Sequence, residues 1–267
     1  MAAIDRPRRI DFNCDLGEGC GNDAAIMPWI SSANIACGAH AGDETSMRET
    51  LRLCRESGVA AGAHPGYADR EHFGRRVLQL EPAEVAEQIR QQLQRLSALA
   101  EAEGVGLVHV KPHGALYNQA ANDGQLADTI ATVVRDFDDQ LILVGLADSE
   151  LPRAGVRAGL QVAHEAFADR RYLADASLAP RGTPGAVIED VDVAVAQALS
   201  IVNAGHVDTL DGERIRIRCD TLCLHGDRHD AVDFARRLRS AFAAAGVHID
   251  PLDQRSSGLT SSSIIGT

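Results

Sequence analysis

Four short apolar runs in this chain stop at a histidine beside glycine or proline. They read Ala33-Asn-Ile-Ala-Cys-Gly-Ala-His40, Val59-Ala-Ala-Gly-Ala-His64-Pro, Leu107-Val-His-Val-Lys-Pro-His113-Gly and Thr221-Leu-Cys-Leu-His225-Gly. A short apolar run closed by Gly or Pro reads as a buried strand and its exit loop. Polar side chains at such exits are costly to bury unless something pairs with them. Two further exits carry acids, Asp11-Phe-Asn-Cys-Asp-Leu-Gly-Glu-Gly19 and His164-Glu-Ala-Phe-Ala-Asp169. Repeated polar exits of this kind point to parallel strands that bring their ends to one common site.

Strand and helix patterns alternate along the chain. The strand-like segments are Arg9–Asp15, Ala33–Cys37, Val59–Ala63, Leu107–Val110, Leu141–Leu146, Leu160–Ala163 and Thr221–Leu224. Between them lie helical stripes such as Met47, Leu51 and Cys54 behind an Asp43 cap, with Gly58 as the stop. Val85, Ile89, Leu93, Leu96 and Ala100 form the clearest stripe, opened by Glu81-Pro and ended by Gly104. Val187–Asn203 reads as a late helix. Asp211-Gly212 between alternating residues reads as a small hairpin within 206–218. Seven β-α units of roughly 30–35 residues fit a barrel repeat, and alternation of β with α implies a parallel sheet. A closed barrel is favoured over an open doubly wound sheet, in which polar exits would concentrate at one switch point. The expected fold is therefore a single seven-stranded parallel β/α barrel over residues 1–253. Residues 254–267, rich in Ser, Gly and Thr, read as a disordered tail.

Composition narrows the function. The formal net charge is −12 at pH 7, which argues against a nucleic-acid surface. No apolar run approaches the length of a membrane span, and the first residues lack the apolar core of a signal peptide, so the cytoplasm is the expected compartment. The six cysteines show no disulfide-framework spacing and read as reduced core thiols. Of 26 basic residues only Lys111 is a lysine. In so arginine-biased a chain, a retained lysine suggests a site that needs a compact, titratable ammonium.

Asp11, Asn13 and Asp15 share strand parity and so point to one side. Asp15 with Glu18 offers a general base or a hard oxygen site for a divalent ion. The glycines from Gly17 to Gly21 could turn backbone N–H groups toward an anion, but no phosphate-binding P-loop spacing appears. His40, His64, Lys111 and His113 follow three of the other exits. Glu165, Asp169, Arg170 and Arg171 cluster after the sixth strand, Arg181 lies in Leu-Ala-Pro-Arg, and His225-Gly-Asp227 closes the set. Arginines of this kind serve carboxylates and phosphates. Several acids, several histidines and one lysine support acid–base or metal-assisted chemistry. No Gly-x-Ser-x-Gly elbow supports a serine hydrolase.

Together these segments resemble the family of lactam-utilisation proteins that contains the A subunit of bacterial 5-oxoprolinase. The matching blocks are Asp11-Phe-Asn-Cys-Asp-Leu-Gly-Glu-Gly19, Ser32 to Asp43, Gly62-Ala-His-Pro-Gly-Tyr67, Phe73-Gly-Arg-Arg76, Val110 to Asn118, Glu165 to Tyr172 and His225-Gly-Asp227. They run in order from about Arg9 to about Ile249. The chain departs from the pattern in a shortened loop after Gly21 and in Ala39, Ala68 and Ala179, where larger residues are usual. The resemblance implies a β/α barrel related to glycoside hydrolases and deacetylases. It also implies ATP-dependent opening of 5-oxo-L-proline to L-glutamate with release of ADP and phosphate, alongside B and C partner subunits. ATP would come with Mg²⁺, and no bound transition metal is expected. On this reading Asp15 or Glu18 is the base for water, and His64 and His113 handle protons or polarise the carbonyl. Lys111, with Arg170 or Arg171, binds the substrate carboxylate or the transferred phosphoryl group. Asn13, His40, Glu165, Asp169, Arg181, His225 and Asp227 complete the substrate or phosphate contacts. Two alternatives stand beside it. One is a stand-alone metal-dependent deacetylase or amidase holding a zinc-like ion on Asp15, His40 and His64. The other is a non-catalytic scaffold subunit.

Overall fold

The computed structural model describes residues 8–224, 226 and 230–252. In chain order the elements begin with β1 (Arg9–Leu16), α1 (Asp23–Ile26), β2 (Ser32–Ala36), α2 (Glu44–Ser57), β3 (Ala60–His64) and α3 (Pro82–Glu103). They continue with β4 (Leu107–Val110), α4 (Gly114–Ala120), α5 (Gly124–Phe137), β5 (Ile142–Leu146), α6 (Glu150–Ala158), β6 (Val162–Phe167) and α7 (Val191–Ala204). A small antiparallel pair, β7 (His206–Asp208) and β8 (Arg214–Arg216), precedes β9 (Thr221–Leu224), α8 (Ala231–Ala244) and β10 (His248–Ile249). Strands β1 to β6 pair in sequence, all parallel; β6 then pairs with β9, and β9 pairs back to β1. The sheet is thus a closed seven-stranded parallel barrel wrapped by helices. Closure removes the sheet edges that an open arrangement would leave. Strand β10 only extends the start of β1.

Strand parity explains what each face holds. On β1 the outward residues Ile10, Phe12, Cys14 and Leu16 are buried in the apolar layer beneath the helices, where Phe12 meets Phe242 of α8 edge to face. The inward residues are Asp11, Asn13 and Asp15, as their parity requires. Registers pair Asp11 with Thr221, Asn13 with Ser32 and Cys223, Asp15 with Asn34, and Asn34 with Gly62. They also pair His109 with Ile142, and Glu165 with Leu146 and Thr221. The lumen is therefore filled by side chains in layers, as in other closed β/α barrels. Much of it is polar, in contrast to the branched aliphatics that usually fill such a core. Ile142, Val144 and Ala163 form an apolar patch on the β5–β6 side.

Helix ends follow their sequence signals. Asp43 accepts from the Ser46 amide in a capping box, and Gly58 ends α2 in the left-handed conformation. Several boundaries differ from the sequence reading. Strand β6 does not stop at Ala163 but continues through His164 and Glu165 to Phe167, because the inward Glu165 finds a cation in the lumen and its charge need not end the strand. Strand β3 likewise includes His64. Helix α7 starts at Val191, four residues later than the Val-x-Val pattern suggested: Asp190 caps the amides of Asp192 and Val193, while Val187 bridges to Arg170. Helices α1, α4 and α6 are additions to the sequence reading. The tail from 254 onward lies outside the described residues, and no helix among those described is long and apolar enough to cross a membrane.

One lumen position depends on a missing side chain. A Cβ on Gly62 would overlap the His109 imidazole. The Gly62→Ala variant is expected to lose about 1–3 kcal/mol or more from overpacking, read as a lower midpoint in urea. The Gly104→Ala control, where a Cβ meets nothing but φ is positive, should cost only about 1 kcal/mol. Equal losses would remove the steric account.

Candidate active site

Lys111 stands two residues beyond His109, on the inward parity of β4, at the carboxyl end of the barrel. Its Nζ lies 2.8 Å from Asp15 Oδ1 and 2.8 Å from Glu165 Oε1. It also donates to Asn13 Oδ1 at 3.1 Å and approaches Cys223 Sγ at 3.2 Å. The carboxylates come from β1 and β6, so one ammonium ties three separated strands. Burial alone would push the Lys111 pKa down, but Asp15, Cys223 and Glu165 together hold it well above the usual lysine value. Lys111 is thus a fixed cation, which corrects the expectation of a titratable one. The single lysine is a compact point charge reached by two carboxylates, a geometry that the broader guanidinium would not reproduce.

Amides complete the cluster. Asn13 Nδ2 donates to Glu165 Oε1 at 3.1 Å and to Thr221 Oγ1 at 2.6 Å. Asn34 Nδ2 donates to Asn13 Oδ1 at 2.8 Å and Asp15 Oδ1 at 2.9 Å, and its Oδ1 lies 2.7 Å from His109 Nε2. Deeper in the lumen, Asp11 accepts from Ser31, Ser32 and Thr221. Burial raises its pKa despite those donors. Asp11 is a floor beneath the site.

Beside this cluster lie three histidines and Glu18. His64 Nδ1 is 2.7 Å from the Lys111 carbonyl, and His113 Nε2 is 2.9 Å from the Phe73 carbonyl. A carbonyl only accepts, so both nitrogens donate. A ring carrying a single proton spends it there and leaves a lone pair on His64 Nε2 or His113 Nδ1, and these two atoms are 2.9 Å apart. His64 Nε2 is also 3.4 Å from Asp15 Oδ2. His40 stacks on His113 with ring centroids 3.8 Å apart, and its Nε2 is 3.4 Å from Glu18 Oε1. Burial, then the neighbouring His64, lowers the His40 pKa to about 3; the same causes hold His113 well below its ordinary value. His64 and His113, each with one ring nitrogen committed to a carbonyl, turn the other nitrogen toward the site. That favours proton acceptance or ligation over the carbonyl polarisation expected of them. One donor atom from each of Glu18, His40, His64 and His113 falls within 4.8 Å of the others, so among the described residues these four form a group able to hold a metal ion. Asp15, named in the metal-dependent alternative, has Oδ1 on Lys111 and Oδ2 3.4 Å from His64 Nε2.

A cavity of about 550 Å³ opens above these groups. Asp15, His64, Lys111, His113, Tyr117 and Phe167 line it together with the buried Arg170 and the exposed Arg75 and Arg181. The buried Arg170 donates to the Ala179 carbonyl at 2.6 Å, and burial, then Arg181, lowers its pKa to about 10. Arg171 turns the other way, to Gln197 of α7 at 3.4 Å. Adjacent residues of an extended segment point to opposite sides, so only Arg170 of the pair reaches the cavity. Asp169 is buried next to Arg170 but does not line the cavity. Cys37 is a buried thiol pushed up to about 12 by desolvation, consistent with a core role. His225 and Asp227 lie outside the described residues. Sequence reasoning missed Asn34, Arg75, His109, Tyr117, Phe167 and Cys223. The inward parity of Asn34, His109 and Cys223 was available as a signal.

Fold and site together define a closed β/α barrel with an acid–lysine–histidine centre at its carboxyl rim. The chain belongs to the LamB/YcsF family, whose model matches residues 10–257. It is 54% identical over 241 residues to the A subunit of 5-oxoprolinase from Erwinia tasmaniensis, covering 90% of this chain and 98% of the relative. The crystal structure of a lactam utilization protein from Thermus thermophilus superposes with a TM-score of 0.86 at 44% identity, covering 91% of this chain and 100% of that one. A variant of peptidoglycan deacetylase PdaC from Bacillus subtilis shares the fold alone, with a TM-score of 0.51 at 11% identity over 93% of this chain and 90% of the other.

Asn34 is the test of the amide network. The Asn34→Ala variant leaves Asp15, Asn13 and His109 each short of a partner and should lose about 2–4 kcal/mol of unfolding free energy. A loss under about 0.5 kcal/mol, the range of a neutral surface change, would show that the network contributes nothing to folding.

Proposed function

We propose that this chain is the lactam-binding subunit of an ATP-dependent hydrolase that opens 5-oxo-L-proline to L-glutamate, with release of ADP and phosphate, in complex with B and C subunits. The observation that carries this reading is the 54% identity to the A subunit of a 5-oxoprolinase across 98% of that protein. The site's chemistry supports it. A five-membered lactam is a poor electrophile; transfer of the γ-phosphoryl group of ATP to its oxygen releases ADP and activates the ring carbon. One water adds there, and the C–N bond breaks as the nitrogen takes up a proton. A second water hydrolyses the resulting acyl phosphate to glutamate and phosphate. Asp15 is the better-placed base, since it lines the cavity while Glu18 faces the histidines. The fixed cation Lys111, two residues from the cavity-lining His113, stabilises negative charge growing on the lactam or phosphoryl oxygens. Arg170, with Arg75 and Arg181, receives the substrate carboxylate or the phosphate in the cavity. The nucleotide would arrive with Mg²⁺. The chain has no P-loop of its own, in keeping with a nucleotide site shared with a partner. The cytoplasm is the expected compartment.

Co-expression with candidate B and C subunits should give glutamate, ADP and phosphate in equal amounts from 5-oxo-L-proline and ATP. In that complex Asp15→Asn is expected to slow turnover by about 10²–10⁴-fold. Arg170→Ala should raise KM at least about tenfold more than Arg171→Ala, because only the first lines the cavity. Turnover without ATP, or undiminished turnover of the Asp15 variant, contradicts the proposal.

A further inference from the structure

His64 Nε2 and His113 Nδ1 form an electrostatically unfavourable pair. With one proton per ring, each spends its N–H on a backbone carbonyl, and two lone pairs then face each other at 2.9 Å. Such an arrangement is repulsive unless a cation lies between or beside the two atoms. Glu18 Oε1 is 3.5 Å from His113 Nδ1 and 3.4 Å from His40 Nε2. Neither ring nitrogen of the buried His40 makes a hydrogen bond. A tetrahedral ion with bonds of about 2.0–2.1 Å spaces its donors about 3.3–3.4 Å apart. The observed donor spacings bracket that value. The carbonyls of Lys111 and Phe73 act as the outer-shell acceptors that fix the tautomer and direction of a ligating imidazole.

We propose that Glu18, His64 and His113, completed by His40, bind one zinc-class divalent ion where His64 and His113 line the cavity. Three imidazoles and one carboxylate suit zinc and its neighbours rather than magnesium or calcium, which take oxygen sets. His40 and His113 are parallel to within 4°, so the His40 ring tilts to bring its in-plane lone pair to the ion. His64 and His113 are therefore the strong ligands and His40 the weaker one. A side chain at Gly66 would block the site, because its Cβ would sit 2.8 Å from His40 Nδ1. The proposal goes against the expectation of no bound transition metal. It concerns an equilibrium property of this chain without nucleotide or lactam, so it and the ring-opening proposal fail separately.

The full chain, tag-free and stripped with EDTA, is titrated with Zn²⁺ by equilibrium dialysis and elemental analysis, and with Co²⁺ by visible absorption. One equivalent should bind with Kd at or below about 1 μM, and Co²⁺ should show the d–d bands of a tetrahedral nitrogen–oxygen site. His64→Ala and His113→Ala should each weaken binding about 100-fold, and Glu18→Gln and His40→Ala about tenfold. The exposed His248→Ala should leave it unchanged. Glu18→Gln, which removes no buried ring, keeps the test decisive if a histidine variant does not fold. No saturable equivalent overturns the proposal and leaves a shared proton between His64 and His113. Binding unchanged by the Glu18 and histidine variants also overturns it.

Discussion

A single buried ammonium organises this barrel. Lys111 Nζ meets Asp15, Glu165 and Asn13 within 3.1 Å, and those partners come from β1 and β6 on either side of the closing strand β9. Removing two carboxylates and one lysine from water is expensive, and their mutual attraction offsets that only when geometry is good and remaining lone pairs are satisfied. The amides of Asn13 and Asn34 supply that satisfaction. The cluster is therefore weak evidence for stability as such. Its value is that it fixes three strands, and hence the positions of Asp15 and Lys111, to one arrangement.

That constraint explains why the lumen is polar. Inward residues of a closed parallel barrel have no solvent and no helix against them, only one another. Once Lys111 occupies the upper layer, carboxylates are needed beside it and amides beside those, down to Asp11 and its three hydroxyl donors. The apolar work of folding moves to the outer layer, where Phe12, Leu51, Leu93 and Phe242 are fully buried under the helices. The histidines sit at the boundary between these regimes: all three are buried, and His64 and His113 line the cavity.

Much of this was legible in the chain. Polar residues at successive strand exits implied convergence, and Asp15, His64, Lys111 and His113 do line one cavity. The parity of Asp11, Asn13 and Asp15 placed them in the lumen. What escaped had physical reasons. Glu165 looked like a loop residue because an isolated charge normally ends a buried strand, and only the fold supplies Lys111 to it. Asn34 and His109 sit inside apolar runs and become a network only when the register places their strands near each other. Arg170 and Arg171 are equivalent in sequence; the bridge between Arg170 and Val187 decides which faces the cavity. The facing lone pairs of His64 and His113 depend on two backbone carbonyls, which no side-chain pattern encodes.

The central claim is that Lys111 and Glu165 form one indivisible charge cluster rather than two separate contributors. A double-mutant cycle on unfolding free energy tests it directly, with Lys111→Met, Glu165→Gln and the pair measured at neutral pH. The account predicts that Lys111→Met alone costs about 3–5 kcal/mol, because buried carboxylates are left unpaired. Adding Glu165→Gln should recover a substantial part of that loss, giving a coupling energy of about 1–3 kcal/mol. Additive losses within about 0.5 kcal/mol would contradict it.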